Sequence, residues 1–206
     1  MAGGDTKRRI LKEALRLFSV RGYEGVSVRD IAAAVGLREG ALYRHFANKQ
    51  AIFDTLLCEM QARYEAATAQ MRLPDAGAER DALRYAQGGL GLLEEICPQM
   101  FLFWLRDETA GAFRRMLTIE QFSQTRAGEV FRQLFVDAPI AYQEALFQEM
   151  IRVGYFREGD ARAMAMQFYG PIFLLLCRYD GAEGEEAQAL EALRVHARQF
   201  ERAYRA

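Results

Sequence analysis

Residues Arg21–Phe53 read RGYEGVSVRDIAAAVGLREGALYRHFANKQAIF, and this stretch decides the fold. Ser27 is a good helix N-cap, and Asp30, three positions on, can complete a capping box by accepting from the Ser27 amide. Val28, Ile31, Ala32 and Val35 then fall on one face of a short helix. Gly36 follows, the residue with which a helix stops in the left-handed region. Leu37 is an apolar plug after the turn. A second helix is expected from Arg38 to Phe46, with Leu42 and Phe46 on its inner face and Ala32 small where the two helices cross. A helix, a tight turn and a helix of this kind lay the second helix in a DNA major groove.

The outer face of that second helix carries Arg38, Glu39, Gly40, Ala41, Tyr43, Arg44 and His45. Arg38 and Arg44 can donate to base edges or phosphates. Gly40 and Ala41 add almost no bulk, so the helix backbone can approach base edges. Tyr43 and His45 can donate to phosphate oxygens. Asn48 reads as the N-cap of the next helix, which puts Lys49 in its first turn. A lysine there opposes the helix dipole, but it becomes favourable beside a phosphate. The competing reading makes Arg29 and Arg44 ordinary solvated charges and leaves Glu39 without a direct base contact.

The chain resembles the TetR (tetracycline-repressor-like) family of bacterial transcription regulators. The resemblance rests on a first helix from Lys7 to Arg21, then GYEGVSVRDIAAAVGL, then GALYRHFANKQAIF, with LYRHFANK at Leu42–Lys49 especially close to the family pattern. It is detailed over roughly residues 7–59; beyond them, RRMLTIEQF at Arg114–Phe122 and a helix opening at Pro139 look like one common type of the family's C-terminal domain. The resemblance implies DNA contacts from Ser27, Arg29, the Arg38–Ala41 segment, Tyr43, Arg44, His45 and Lys49. It also implies a palindromic double-stranded operator, a homodimer built from the C-terminal helices, and a pocket for a small-molecule effector. No cofactor is implied. The first residues of the family's recognition helix vary with the operator, so Arg38 and Glu39 do not spell a code.

Charge divides the chain in the same way. The first 50 residues hold ten basic and five acidic side chains, whereas the whole chain of 206 residues is −1. A near-neutral total therefore hides a basic head on an acidic body, and phosphate binding needs only the local charge. Lys7, Arg8 and Arg9 either reach an adjacent phosphate or form a frayed, solvated terminus. The chain begins MAGGDTKRR and passes directly into an amphipathic helix, without a secretory signal. Its longest apolar run, Phe168–Cys177, is broken by Gly170-Pro171 and is far short of the ~18–20 residues of a membrane span. Cys58, Cys97 and Cys177 have neither metal nor disulfide spacing, and Cys97 and Cys177 read as small buried residues. The expected location is cytoplasmic.

The pattern is all-α throughout, about nine or ten helices, with a DNA-binding domain over 5–65 and an effector-binding and dimerisation domain over 66–206. The first body helix carries Ile52, Leu56, Leu57, Met60 and Tyr64, and Leu73–Gly77 breaks it. Helices are then expected from Glu79 to Ile96, stopped by Pro98, from Gln99 to Asp107 and from Phe113 to Phe122. Arg126–Phe135, Pro139–Val153, an Asp160-capped helix to Tyr179 and Glu185–Tyr204 follow. Gln99–Asp107 is the candidate pocket wall: Met100, Phe103 and Trp104, with Phe113, Met116, Phe122, Tyr142 and Phe147 further on. Each is equally a core residue at helical spacing. Phe168, Ile172, Leu175, Leu176, Leu193, His196 and Phe200 suit a dimer interface on the last two helices; the competing reading has them complete the monomer's core.

An enzyme is the rival class. Of the two histidines, His45 lies in the DNA motif and His196 on an apolar stripe, and Ser19, Ser27 and Ser123 lie in no nucleophile motif. A redox-sensing regulator is the other rival. It needs an exposed cysteine of lowered pKa.

Overall fold

The computed structural model describes residues 2–70, 81–83, 91–182 and 184–206. The expected break at Leu73–Gly77 and the start of a helix at Glu79 lie outside the described residues. Among the described residues ten α-helices run in order: α1 (Ala2–Arg21), α2 (Val28–Ala34), α3 (Glu39–Leu42), α4 (Lys49–Gln70), α5 (Gly91–Arg106), α6 (Glu108–Glu120), α7 (Thr125–Arg132), α8 (Ala138–Arg152), α9 (Ala161–Arg178) and α10 (Glu186–Tyr204). A π-helical turn, Gln133–Asp137, joins α7 to α8. Among the described residues the only extended pairing is one bridge, Phe156 with Arg205, and no helix is long and apolar enough to cross a membrane.

The chain divides into two compact units, residues 1–66 with 107–131, and residues 67–106 with 132–206. The segment 107–131 thus belongs with the N-terminal helices. The cause is α6. Its buried face carries Phe113, Met116, Leu117 and Glu120, and it packs along α1, which buries Ile10, Leu11, Ala14, Leu15 and Phe18. At one end of this core Phe18, Tyr23 and Phe53 meet edge-on or tilted, with ring centroids 5.1–5.8 Å apart.

The second unit is built around an aromatic cluster. Phe147 on α8 stacks on Phe200 of α10 at 5.3 Å and meets Phe156 and Phe168 edge-on at 5.5 and 5.6 Å. Leu146, Met150, Met164, Ala165 and Ala197 complete this core. Gly154, at φ +74°, ends α8 and turns the chain so that Phe156 enters the cluster. The C-terminus is pinned beside it: the Arg157 amide donates to the Tyr204 carbonyl at 2.8 Å, and the Tyr155 hydroxyl to Glu201 at 2.6 Å.

Local signals explain most helix ends, and they also explain two differences from expectation. Asp160 caps α9 by accepting from the Ala163 amide at 2.9 Å. Asp107 does the same for α6 through Ala110 at 2.9 Å; α5 ends at Arg106 just before it, close to the expected end, and α6 opens at Glu108, earlier than the expected Phe113. Pro98 does not stop a helix: α5 runs through it from Gly91 to Arg106. A proline costs one main-chain bond in a helix interior, and the burial of Phe101 and Trp104 further along α5 offsets that loss. Pro171 lies inside α9 in the same way. Helix α1 begins at Ala2, earlier than the expected Lys7, which places Lys7, Arg8 and Arg9 on a formed helix.

Candidate nucleic-acid interface

Helix α2 is set by its caps. The Ser27 hydroxyl accepts from the Asp30 amide at 3.1 Å, and the Asp30 carboxylate accepts from the Ser27 amide at 2.8 Å. The Ser27 amide, the Ser27 hydroxyl and the Arg21 guanidinium, which is 3.3 Å away, together hold the Asp30 carboxyl below the usual carboxylate range. At the far end Gly36 takes φ +70° and the Leu37 amide donates back to the Ala32 carbonyl at 2.8 Å. The Arg9 guanidinium reaches across from α1 to the Val35 carbonyl at 3.0 Å, satisfying a group the helix end leaves open.

The second helix of the motif is shorter than the expected Arg38–Phe46. Regular α-helix covers Glu39–Leu42; the chain then continues as turn, with the His45 and Phe46 amides both donating to the Leu42 carbonyl at 2.8 and 3.1 Å. The inner face is as expected, because Leu42 and Phe46 are buried. The outer face presents Arg38, Glu39, Gly40, Tyr43 and Arg44 to solvent, with Ala41 and His45 half-buried and Ser27 and Arg29 exposed on α2 beside it. Arg8, Arg16 and Arg21 are each paired with a carboxylate. In contrast, Arg29, Arg38 and Arg44 form no ion pair among the described residues. Gly40 has open space where a Cβ would stand, so nothing inside the free protein requires glycine there.

Lys49 has partners that sequence spacing did not reveal. Its ammonium donates to the carbonyls of Tyr23 at 2.8 Å and Val26 at 3.0 Å and lies 4.0 Å from the Tyr23 ring centroid. It thus closes the α1–α2 turn onto the first turn of α4, where Asn48 caps through the Ala51 amide at 2.8 Å. Two of its three N–H donors are engaged inside the protein. Lys7 stands over the Phe46 ring at 5.3 Å, which puts this α1 cation beside the end of the motif's second helix.

The apolar candidates do not form one site. Met100, Phe103 and Trp104 lie together on α5, the first two half-buried and Trp104 buried, with Phe135 of the π turn 4.6 Å from the indole and Phe103 at 5.2 Å. Tyr142 is partly exposed on α8 of the same unit. Phe113 and Met116 are completely buried in the first unit, where α6 packs on α1, and Phe122 is 93% exposed on the turn after α6. Phe147 is the centre of the second unit's aromatic core. The proposed dimer residues divide as well. Phe168, Leu176, Leu193 and Phe200 are buried within a single chain, and the His196 Nε2 bonds the Phe168 carbonyl at 2.7 Å. Ile172, Leu175 and His196 are half-buried. The solvent side of α9 carries a different apolar strip: Met166, Gly170, Phe173 and Cys177 at spacings of four, three and four, with Leu174 beside them at 67% exposure. Val195 is exposed on α10.

Cys177 is exposed, contrary to the expectation of a buried thiol, and so is Cys58, whose sulfur accepts from the Arg126 guanidinium at 3.0 Å. The Cys97 side chain falls outside the described residues.

The chain is similar to several known proteins. Residues 10–56 match the model of the bacterial regulatory proteins of the tetR family. Over 168 residues the chain is 28% identical to the HTH-type transcriptional repressor AcnR of Corynebacterium glutamicum, a match covering 80% of this chain and 73% of that repressor. Over 48 residues it is 40% identical to IcaR of Staphylococcus aureus, the negative transcriptional regulator of the biofilm operon icaADBC, covering 23% of this chain and 26% of that protein. A TetR-family transcriptional regulator structure from Agrobacterium tumefaciens superposes with a TM-score of 0.63 at 19% identity, over 99% of this chain and 100% of that one.

Proposed function

The chain belongs to the TetR family of DNA-binding transcription regulators, and from that premise we propose which of its surfaces do the work. Ser27, Arg29, Arg38, Glu39, Gly40, Ala41, Tyr43, Arg44 and His45 form the face laid on operator DNA. The observation that carries this reading is the group of unpaired cations Arg29, Arg38 and Arg44 around an α3 whose outward position 40 is a glycine with empty space above it. Guanidinium groups without internal partners exchange condensed counterions for phosphates at little cost. A glycine that no internal contact demands lets the backbone close on base edges. Lys49 keeps one donor for a phosphate while its other two hold the turn.

The protein acts as a repressor in the cytoplasm and as a homodimer, through the strip Met166, Gly170, Phe173, Leu174 and Cys177. Its two recognition helices then meet successive major grooves about 34–36 Å apart on a palindromic operator. A small apolar or amphipathic effector binds along α5 at Met100, Phe103 and Trp104 and favours the state whose spacing is wrong for DNA. The adaptable Met100 and the broad aromatic faces support this choice.

Selection of duplexes from a random library tests the reading. The wild type is expected to enrich a palindrome. Arg44→Ala is expected to flatten the slope of log affinity against log salt by about 1 per protomer, about 2 per dimer. A wild type that enriches no sequence ends the DNA reading, and an unchanged slope makes Arg44 a solvated charge. A redox-sensing variant of the mechanism has one observation in its favour, the Arg126 guanidinium on the exposed Cys58 thiol. Release from DNA by peroxide that Cys58→Ser abolishes would establish it.

A further inference from the structure

Glu120 is the last residue of α6, lies outside the DNA motif, and is 3% exposed. One oxygen of its carboxylate accepts from the Tyr23 amide at 2.6 Å, and the other from the Ser123 hydroxyl at 2.5 Å. Tyr23 opens the α1–α2 turn, 97 residues earlier in the chain. The preceding Gly22 sits at φ +70°, and a Cβ there would come within 2.9 Å of the same Glu120 oxygen. The turn is therefore shaped around the carboxylate, with the only residue type that leaves it room.

The Tyr23 carbonyl accepts from the Lys49 ammonium, which also takes the Val26 carbonyl, and the next residue is the Ser27 cap of α2. A continuous chain of charge-assisted hydrogen bonds thus runs from the end of α6 to the starts of α2 and α4. These two helices bracket α3, which has only four residues of regular helix and no side-chain cap of its own. So short a helix takes its position from its neighbours.

We propose that Glu120 is a positioning residue for DNA recognition. Its carboxylate fixes the α1–α2 turn, and through Tyr23 and Lys49 it fixes the angle at which α3 meets the groove. The inference rests on the DNA-binding reading above. It adds a residue of α6 that touches no DNA yet sets sequence discrimination. A buried amide held by a carboxylate cannot turn away without losing its partner, so the bond defines position more narrowly than apolar packing does.

The test uses the full chain and two duplexes, the selected palindrome and a shuffled duplex of equal composition, at a temperature well below each variant's unfolding midpoint. Glu120→Asp keeps the charge and withdraws the oxygens by roughly one C–C bond, about 1.5 Å. It is expected to lower the ratio of selected to shuffled affinity about tenfold, with shuffled binding and its salt slope unchanged, and to speed hydrogen exchange at the Tyr23 amide. Glu120→Gln keeps an acceptor for that amide and is expected to stay within about threefold of the wild type. Should Glu120→Asp fail to fold, Ser123→Ala, at an exposed position, removes the hydroxyl's bonds to Glu120, leaves the Tyr23 amide its carboxylate, and is expected to lower the ratio about two- to threefold. A folded Glu120→Asp that discriminates like the wild type, a Ser123→Ala without effect in the fallback, or a Glu120→Gln as defective as Glu120→Asp each overturns the proposal. A wild type that prefers neither duplex removes the DNA reading itself, so the two failures are distinguishable.

Discussion

Both units have apolar cores, but the segments around α3 in the first and the aromatic cluster of the second are fixed by different kinds of interaction. In the first, the segments around α3 are tied by directed bonds: Arg9 to the Val35 carbonyl, Ser27 with Asp30, Lys49 to two carbonyls, Glu120 to the Tyr23 amide. In the second, Phe147, Phe156, Phe168 and Phe200 pack ring on ring with centroids 4.9–6.0 Å apart. A hydrogen bond fixes direction as well as distance, whereas aromatic packing supplies more free energy and tolerates small rearrangement. The first arrangement suits a surface that must match a groove. The second suits a body that must stay folded, and it leaves room for the proposed effector at α5.

The largest expected effect tests the second unit. Phe147 is completely buried among three other phenylalanines, and Phe147→Ala should cost about 3–5 kcal/mol of folding free energy in a denaturant titration. A loss under about 1 kcal/mol would mean that the cluster collapses onto the gap, and the contrast between the units would fail. Next comes Leu174→Glu. Leu174 is exposed in the single chain, so the fold should tolerate the change, while a charge on the proposed dimer strip should raise the dimer dissociation constant about 30-fold, or ~2 kcal/mol. Sedimentation showing an unaltered dimer would move the interface to another face.

Lys49→Ala tests the directed bonds of the first unit. It strips two carbonyls of a charged donor, so a loss of about 1.5–3 kcal/mol of stability is expected, together with weaker DNA binding. A purely phosphate-binding lysine would weaken DNA and leave the melting temperature alone.

The sequence was most readable where a side chain bonds to its own neighbourhood. Ser27 with Asp30, Gly36, Asn48, Gly154 and Asp160 act over three or four residues, and each lies where spacing put it. Asp107 uses the same chemistry, but its capping role is hidden in the sequence: the aromatic helix before it does end there, and the small residues after it carry no apolar periodicity before Phe113. Pro98 was overread, since a proline's cost can be met by packing that spacing does not display. The first unit's polar surface was legible because arginines that pack against nothing must face out. The apolar sites were not. A phenylalanine at helical spacing has the same pattern in a core, a pocket or an interface, and Phe147 and Phe200 belong to the first class while Leu174 does not. Glu120 could not be found at all, since the amide that gives it meaning is 97 residues away.

The smallest effect lies at the most readable site. Ser27→Ala removes the hydroxyl that caps α2, and about 1 kcal/mol of stability should go with it near neutral pH. The partner in this box titrates. The Asp30 carboxyl is held below its ordinary value of 3.8, first by the Ser27 amide, then by the Ser27 hydroxyl and by Arg21. A carboxyl depressed in the folded state adds stability that is fully present above its unfolded pKa and is lost as the pH falls through the lower folded value. The difference between the wild type and Asp30→Asn should therefore be constant from neutral pH down to about pH 5 and should close below pH 3.8. Urea midpoints measured across that range decide the matter. If the two proteins keep a constant difference into the acid, the Asp30 carboxylate contributes nothing through its charge, and the cap works by geometry alone.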